Sequence, residues 1–155
     1  MRFWVTNQKE KAALWVADRV DVMAGGVPLG DYQAIALCNE KRVLAACIYT
    51  DYNGHDMQLS FASDGPAWAT RNAIRGFLDY PFNKAGCIRV TALCSKKNKR
   101  IRKFLEGLGF VYEGKKRKGY NGIDDLICYG LLYSEAKKWL THGDCYGKQK
   151  LNACA

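Results

Sequence analysis

Proline is scarce in this sequence, histidine scarcer still, and acidic residues are outnumbered by basic ones. Three prolines in 155 residues leave no proline-rich linker between domains. No stretch of about 18 uncharged apolar residues occurs, which excludes a membrane-spanning helix. The opening Met1-Arg2-Phe3-Trp4-Val5-Thr6-Asn7 lacks a long apolar signal core, and charge returns at Lys9. The expectation is a chain that stays where it is made, in the cytoplasm. With two histidines, His55 and His142, and no C-x-x-C pair among seven cysteines, no zinc motif is present and no metal is expected. His142, Cys145 and Cys154 fall near one another in sequence, but at no ligand spacing. An odd number of widely spaced cysteines among apolar neighbours (Ala46-Cys47-Ile48, Ile127-Cys128-Tyr129) reads as small buried thiols in a reducing compartment.

What is present is the mix of a globular core: 48% apolar and 25% charged residues, enough for one compact domain. The domain is expected over residues 1–140, with 141–155, which lack periodicity, as a loosely ordered tail. Lys plus Arg number 24 against 15 Asp plus Glu, a net charge of +9. That excess favours anionic partners. It is also local: Lys96, Lys97, Lys99, Arg100, Arg102, Lys103, Lys115, Lys116, Arg117 and Lys118 all lie between positions 96 and 118.

Along the chain, residues 3–5 read as a short strand. Asn7 and Glu10 have the spacing of a capping box, and Ala13, Val16, Val20 and Met23 follow at helical intervals until Gly25-Gly26. Residues 33–38 and 43–50 read as a hairpin, and Asn53-Gly54 as a second tight turn. Met57, Leu59 and Phe61 then alternate with Gln58, Ser60 and Ala62, a half-buried strand. Residues 63–68 form a loop opening a helix with Ile74, Phe77 and Leu78 on one face. A strand over 87–94 precedes a helix over 95–108, striped by Ile101, Phe104, Leu105 and Leu108 and stopped by Gly109. A final strand pair, 110–112 and 126–133, is joined by the basic connection 114–122, and Ser134 and Glu135 open a last helix through Trp139. Helices alternating with a partly hairpin-connected sheet indicate a single α/β or α+β layered domain.

Several local patterns resemble the GNAT superfamily of N-acetyltransferases. Asn98-x10-Gly109-Phe110, with Phe104-Leu105-Glu106-x-Leu108-Gly109-Phe110 inside it, is similar to that family's fourth helix and following strand. Asp125-Leu126-Ile127-Cys128-Tyr129-Gly130-Leu131-Leu132-Tyr133-Ser134-Glu135 resembles the closing strand of the branch that acetylates ribosomal-protein N-termini, and of small phage-encoded members. The likeness runs from about Gln58 to Trp139. It implies a mixed, mainly antiparallel sheet flanked by helices, with acetyl-CoA as co-substrate.

The resemblance also implies site residues. Backbone N–H groups of Phe61, Ala62 and Ser63 would face the reacting carbonyl, and Trp68, Ala69, Thr70 and Arg71 would cradle the pyrophosphate at a helix N-terminus. Here the sequence departs from the family: Gly65, Trp68 and Thr70 stand where Arg or Gln, Gly, and Gly or Ala are usual. Asn98 would hydrogen-bond the cofactor, or else only cap its helix. Lys97, Arg102 and Lys103 would meet its phosphate or adenine end, or else be solvated. Relatives carry an acid, tyrosine, seven residues after the asparagine; this chain has Leu105.

An amine is mostly protonated at pH 7, so its attack needs a base or a water chain. His55, Asp56 and Asp51 lie near the turn where relatives carry one, and Tyr133, Tyr129 and Ser134 are further substrate-side candidates. A thiol route through Cys87 or Cys94 lacks a neighbouring histidine. Two functions compete. One is an N-acetyltransferase acting on a protein N-terminus, a lysine or a small amine, whose acceptor is a protein or nucleic-acid-associated. The other is a silent GNAT-fold protein that holds nucleic acid or another macromolecule on its 96–118 surface. A third, modification of a nucleobase amine, finds no stacking pocket in the sequence.

Overall fold

The computed structural model describes residues 1–20 and 30–140. Within them β1 (Arg2–Val5), β2 (Gln33–Asn39), β3 (Val43–Thr50), β4 (Gln58–Ser63), β5 (Arg89–Ser95), β6 (Val111–Lys116) and β7 (Leu126–Leu132) form one sheet. The strand order is β1-β2-β3-β4-β5-β7-β6, and every pairing is antiparallel except β4 with β5. Among the described residues four α-helices flank it: α1 (Lys9–Ala17), α2 (Arg71–Asp79), α3 (Lys99–Leu108) and α4 (Tyr133–Leu140). This is the mixed, mainly antiparallel, helix-flanked domain that the sequence implied.

The sheet is covered on both faces. On one, α1 packs its small residues Ala12, Ala13 and Val16 against Ala34, Ala36, Ala46, Ile48 and Ala62. On the other, α2, α3 and α4 close over a larger core that includes Ile35, Tyr49, Phe77, Val90, Tyr129 and Leu131. Sandwiching explains why β2 and β3 are nearly continuous apolar runs rather than alternating ones. Gly76 lets α2 lie flat: a Cβ there would come within 2.1 Å of the Trp4 ring.

Several local expectations need correction. Helix α1 starts at Lys9 behind Gln8, with no side-chain cap, so Asn7 and Glu10 have capping-box spacing without making the box. Met23 and Gly25-Gly26 lie outside the described residues, as do His142, Cys145, Cys154 and the 141–155 tail. Asn53-Gly54 is not a two-residue hairpin turn. Positive φ falls at Asp51 and Gly54, and Asn53 Oδ1 accepts from the N–H groups of His55 and Asp56 at 3.2 and 2.8 Å, an Asx-type turn inside a longer loop. Helix α3 begins at Lys99 rather than residue 95, because Asn98 caps it by accepting from the Ile101 N–H at 3.1 Å. Strand β6 runs on to Lys116, through the start of the expected connection, with a bulge between Tyr112 and Gly114. A π-helical turn at Tyr80–Lys84 follows α2 and displaces Cys87 from the strand.

Candidate functional site

The one parallel pairing creates the site. β4 and β5 are in register only at Gln58↔Thr91 and Leu59↔Ala92, and beyond these pairs the strands splay. On its other edge β4 pairs with β3, and the Asp64 N–H donates to the Leu44 carbonyl at 3.1 Å. Hydrogen-bonded and free positions alternate along an antiparallel ladder. Counting back through the Ala45↔Ser63 register, Ala62 and Ser60 bond to β3, while Phe61 and Ser63 turn their backbone groups into the gap beside β5.

The turn from β4 into α2 lies at the open end of this gap. Gly65 takes a φ of +79°, and Pro66–Trp68 form a short 3-10 turn. The Ala69 N–H donates to the Pro66 carbonyl at 3.1 Å and the Thr70 N–H to the Trp68 carbonyl at 2.7 Å. Thr70 caps α2, its Oγ1 accepting from the Ala73 N–H at 3.2 Å. Among the described residues this leaves Arg71 and Asn72 as first-turn N–H donors with no acceptor. Their amides and the helix dipole favour an anion. Arg2 braces the turn from outside, donating to the Ala67 carbonyl at 2.7 Å and the Trp68 carbonyl at 3.4 Å. Nothing in the sequence around Arg2 signalled that role.

Trp68 packs beside the gap. Its indole is 6% exposed and meets Phe61 at 4.6 Å, Phe77 at 5.7 Å and Phe104 at 5.7 Å between ring centroids. Phe61 belongs to β4 and Phe104 to α3, so the indole joins the strand on one side of the gap to the helix that follows the strand on the other. Arg71 is turned the other way: it donates to the Lys138 carbonyl and lies over the Trp139 ring at 5.3 Å. Arg102 donates from Nε to Tyr129 Oη at 3.2 Å, and that hydroxyl donates to Glu106 at 2.9 Å. Burial pushes the Tyr129 phenol up. Lys103 is exposed on the outer face of α3, and Leu105 is half-buried against the core.

The base candidates collect at the opposite, closed end. The His55 carbonyl accepts from the N–H groups of Ile88 and Arg89, and the Tyr133 N–H donates to the Ile88 carbonyl at 2.8 Å. Both Asp56 oxygens accept from the Thr91 hydroxyl at 3.0 Å. Arg89 Nε stands 3.4 Å from Asp56 Oδ2 without the alignment of a hydrogen bond. The same guanidinium binds Glu113 through two bonds, at 2.6 and 3.1 Å, and holds that carboxyl below its ordinary range. His55, Asp56 and Tyr133 are thus brought together around Ile88 and Arg89. Phe61 lies five residues beyond Asp56, roughly 16 Å of extended chain. Thr91, Arg89 and Glu113 were missed from sequence, where the one signal is a lone arginine opening an apolar strand. Burial pushes the thiols of Cys47, Cys87, Cys94 and Cys128 up, which keeps them protonated and poorly nucleophilic.

This splayed sheet has close counterparts among solved structures. An acetyltransferase-described chain from T. thermophilus matches with a TM-score of 0.60 at 22% identity, over 71% of this chain and 63% of that one. The ribosomal-protein-S5-alanine acetyltransferase of Vibrio fischeri matches at 0.56 and 23%, over 65% and 61%. The spermidine/spermine N-acetyltransferase SpeG of Vibrio cholerae, in mutant form, matches at 0.61 and 17%, over 69% and 67%. The fold is that of the GNAT acetyltransferases. The match to the T. thermophilus chain spans less than two thirds of its length. No protein-family model matches the sequence, and no curated protein does. Among the described residues no helix is long and apolar enough to cross a membrane, and no three His, Cys, Asp or Glu side chains cluster as metal ligands.

Proposed function

We propose that this protein transfers an acetyl group from acetyl-CoA to a primary amine by direct attack. The observation that carries the reading is the β4–β5 splay, with the Phe61 and Ser63 amides turned into it and the free Arg71 and Asn72 amides at its mouth. These groups fit a long thioester ending in phosphates: strand amides for the acyl arm, helix amides for the pyrophosphate. Trp68 fits it less well: its indole, packed from Phe61 on β4 to Phe104 on α3, lies beside the path of the arm and would have to shift for it to pass. Acetyl-CoA supplies a thioester carbonyl open to attack. The chain supplies N–H donors as negative charge builds on the carbonyl oxygen, and aromatic walls that exclude water. A C–N bond forms, the C–S bond breaks, and the amine proton leaves through solvent toward the Asp56 end. Leu105 offers no proton, so the sulfur departs as thiolate. Two of the matching folds are named for amine acceptors, a ribosomal-protein alanine and spermidine or spermine, which supports an amine here without choosing among protein N-terminus, lysine and small amine.

The test isolates one amide. Thr70 already has extended backbone, φ −88° and ψ 159°, the conformation a residue before proline prefers, and Arg71 is the first helical position, where proline is tolerated. Arg71→Pro therefore deletes the N–H and keeps the helix, while Arg71→Ala keeps the N–H. A hydrogen bond to a charged phosphate contributes about 1.5–3 kcal/mol, so Arg71→Pro should bind acetyl-CoA about ten- to a hundredfold more weakly than Arg71→Ala in calorimetry. Equal affinities would remove the phosphate role from this turn. No heat with any variant at millimolar ligand would leave the silent binding protein as the better reading.

A further inference from the structure

The ten cations between 96 and 118 are not equally engaged. Lys97 pairs with Asp124 at 2.8 Å, Lys115 with Asp125 at 3.7 Å, and Arg102 is held by Tyr129 and the Lys96 carbonyl. Lys96, Lys99, Arg100, Lys103, Lys116, Arg117 and Lys118 are exposed and form no ion pair among the described residues. The topology makes them neighbours. Ser95 is in register with Leu126, and Leu126 with Lys116, so the strand that leads into α3 and the start of the β6–β7 hairpin lie on either side of one strand. The Lys96 N–H also donates to the Asp125 carbonyl at 2.9 Å. On α3 itself Lys103 follows Arg100 by three residues and Lys99 by four, so the three share one exposed side, with Arg100 at its border, one turn before the half-buried Phe104.

This arrangement works against the helix that carries it. Cations in a first turn meet the positive end of the helix dipole and one another, and no acid occupies that turn. The nearby acids offset only part of this charge: Glu106 accepts from Tyr129, Asp124 pairs with Lys97, and Asp125 accepts from the Lys118 N–H, pairs with Lys115 and attracts Lys96. A local rule broken without structural return points to a ligand that compensates. Protein interfaces are poor in lysine and centre on buried aromatic anchors, whereas phosphate backbones are bound by exposed lysine and arginine.

We infer that the outer side of α3 and the β6–β7 hairpin together form a nucleic-acid-binding face, engaging the phosphate backbone without reading bases. It is separate from the free amides of α2 and does not depend on acetyl transfer. The test is fluorescence anisotropy of the full chain with labelled 30-nucleotide single-stranded and duplex DNA across a salt series. Seven contacts predict a slope of log K against log salt of about −6 on duplex. Two triple variants, Lys99→Glu with Arg100→Glu and Lys103→Glu, and Lys116→Glu with Arg117→Glu and Lys118→Glu, should each flatten that slope by about three. Each should weaken binding at least tenfold at 100 mM salt. The first places acids in the first turn of α3, so its thermal melt should not fall, which separates lost binding from lost folding. A control with the same charge change, Lys9→Glu with Lys11→Glu and Lys41→Glu on α1 and the β2–β3 turn, should bind as the parent does. The inference is overturned if the control loses as much as the triples, if no DNA binding occurs at 50 mM salt, or if a polyglutamate peptide competes as well as DNA at equal charge. Saturating acetyl-CoA should displace little of the DNA; complete displacement would reduce the face to a cofactor site and overturn it as well.

Discussion

Replacing Trp68 by alanine should move stability and cofactor affinity in opposite directions. The indole is almost fully buried, with three aromatic partners within 5.7 Å. Deleting such a core ring costs about 3–5 kcal/mol, part of it from tilted and edge-to-face ring contacts of about 0.5–1.5 kcal/mol each. For a domain of this size that corresponds to a fall in Tm of about 6–20 °C. In the parent, a thioester arm can enter the β4–β5 gap only after the indole gives up much of that packing, and the cost is subtracted from binding. A cost of about 3 kcal/mol is two decades in Kd. Because a displaced ring reburies part of its surface, Trp68→Ala should bind acetyl-CoA about ten- to a hundredfold more tightly. Calorimetry gives the affinity, and thermal melts with and without ligand give an independent check, since ligand bound only to the folded state raises its stability. A Kd within twofold of the parent, or a weaker one, would refute the idea that the indole blocks the gap and would make it a wall of the site.

Other consequences follow from the closed end of the sheet. A Cβ on Gly130 would lie 2.3 Å from Glu113 Oε1, so Gly130→Ala should destabilise by about 1–3 kcal/mol in urea melts. Adding Glu113→Ala should recover most of that, as a double-mutant cycle would register; additive losses would mean that the glycine serves some other purpose. The Arg89 guanidinium lowers the Glu113 pKa. Since the folded value is the depressed one, this contribution is fully present above the unfolded glutamate pKa and disappears as pH falls through the folded one. Arg89→Gln should therefore lose more stability at pH 7 than at pH 3, and an equal loss at both would contradict the assignment. Asn98→Ala removes the α3 cap and should cost about 1 kcal/mol; if acetyl-CoA affinity also drops more than tenfold, the side chain does more than cap.

The parts of the fold that the sequence disclosed are those governed by local chemistry. Gly109 ends α3 with a φ of +108°, Thr70 and Asn98 sit where helices start, and the apolar stripe of α2 is the face it buries. What misled was also local, but ambiguous. Asn7 and Glu10 fit a capping box, yet burying Ala12, Ala13 and Val16 against β2 and β3 fixes where the helix lies, and tertiary packing outweighs a cap contribution of about 1 kcal/mol. Asn-Gly predicts a tight turn only when the flanking strands meet directly. Here β4 must also reach β5, and the added residues take an Asx-type turn instead.

The site was less legible for a reason rooted in its chemistry. Backbone amides carry no side-chain signature: the resemblance implied Phe61, Ala62 and Ser63 alike, and only ladder parity separates Phe61 and Ser63, which turn toward β5, from Ala62, which bonds to β3. Side chains noted as candidates proved to be shared between ends of the sheet, because strand direction, not sequence distance, decides which residues meet. His55 and Tyr133, 78 positions apart, both bond Ile88, while Asp56 and Phe61, five apart, face different ends. Trp68 stands out in the sequence as a large residue where the resembled family usually has glycine. The indole is packed among three aromatic rings, so on the function proposed above the same packing that stabilises the empty fold opposes entry of the thioester arm. That opposition is what makes the Trp68→Ala affinity the most informative single measurement on this protein.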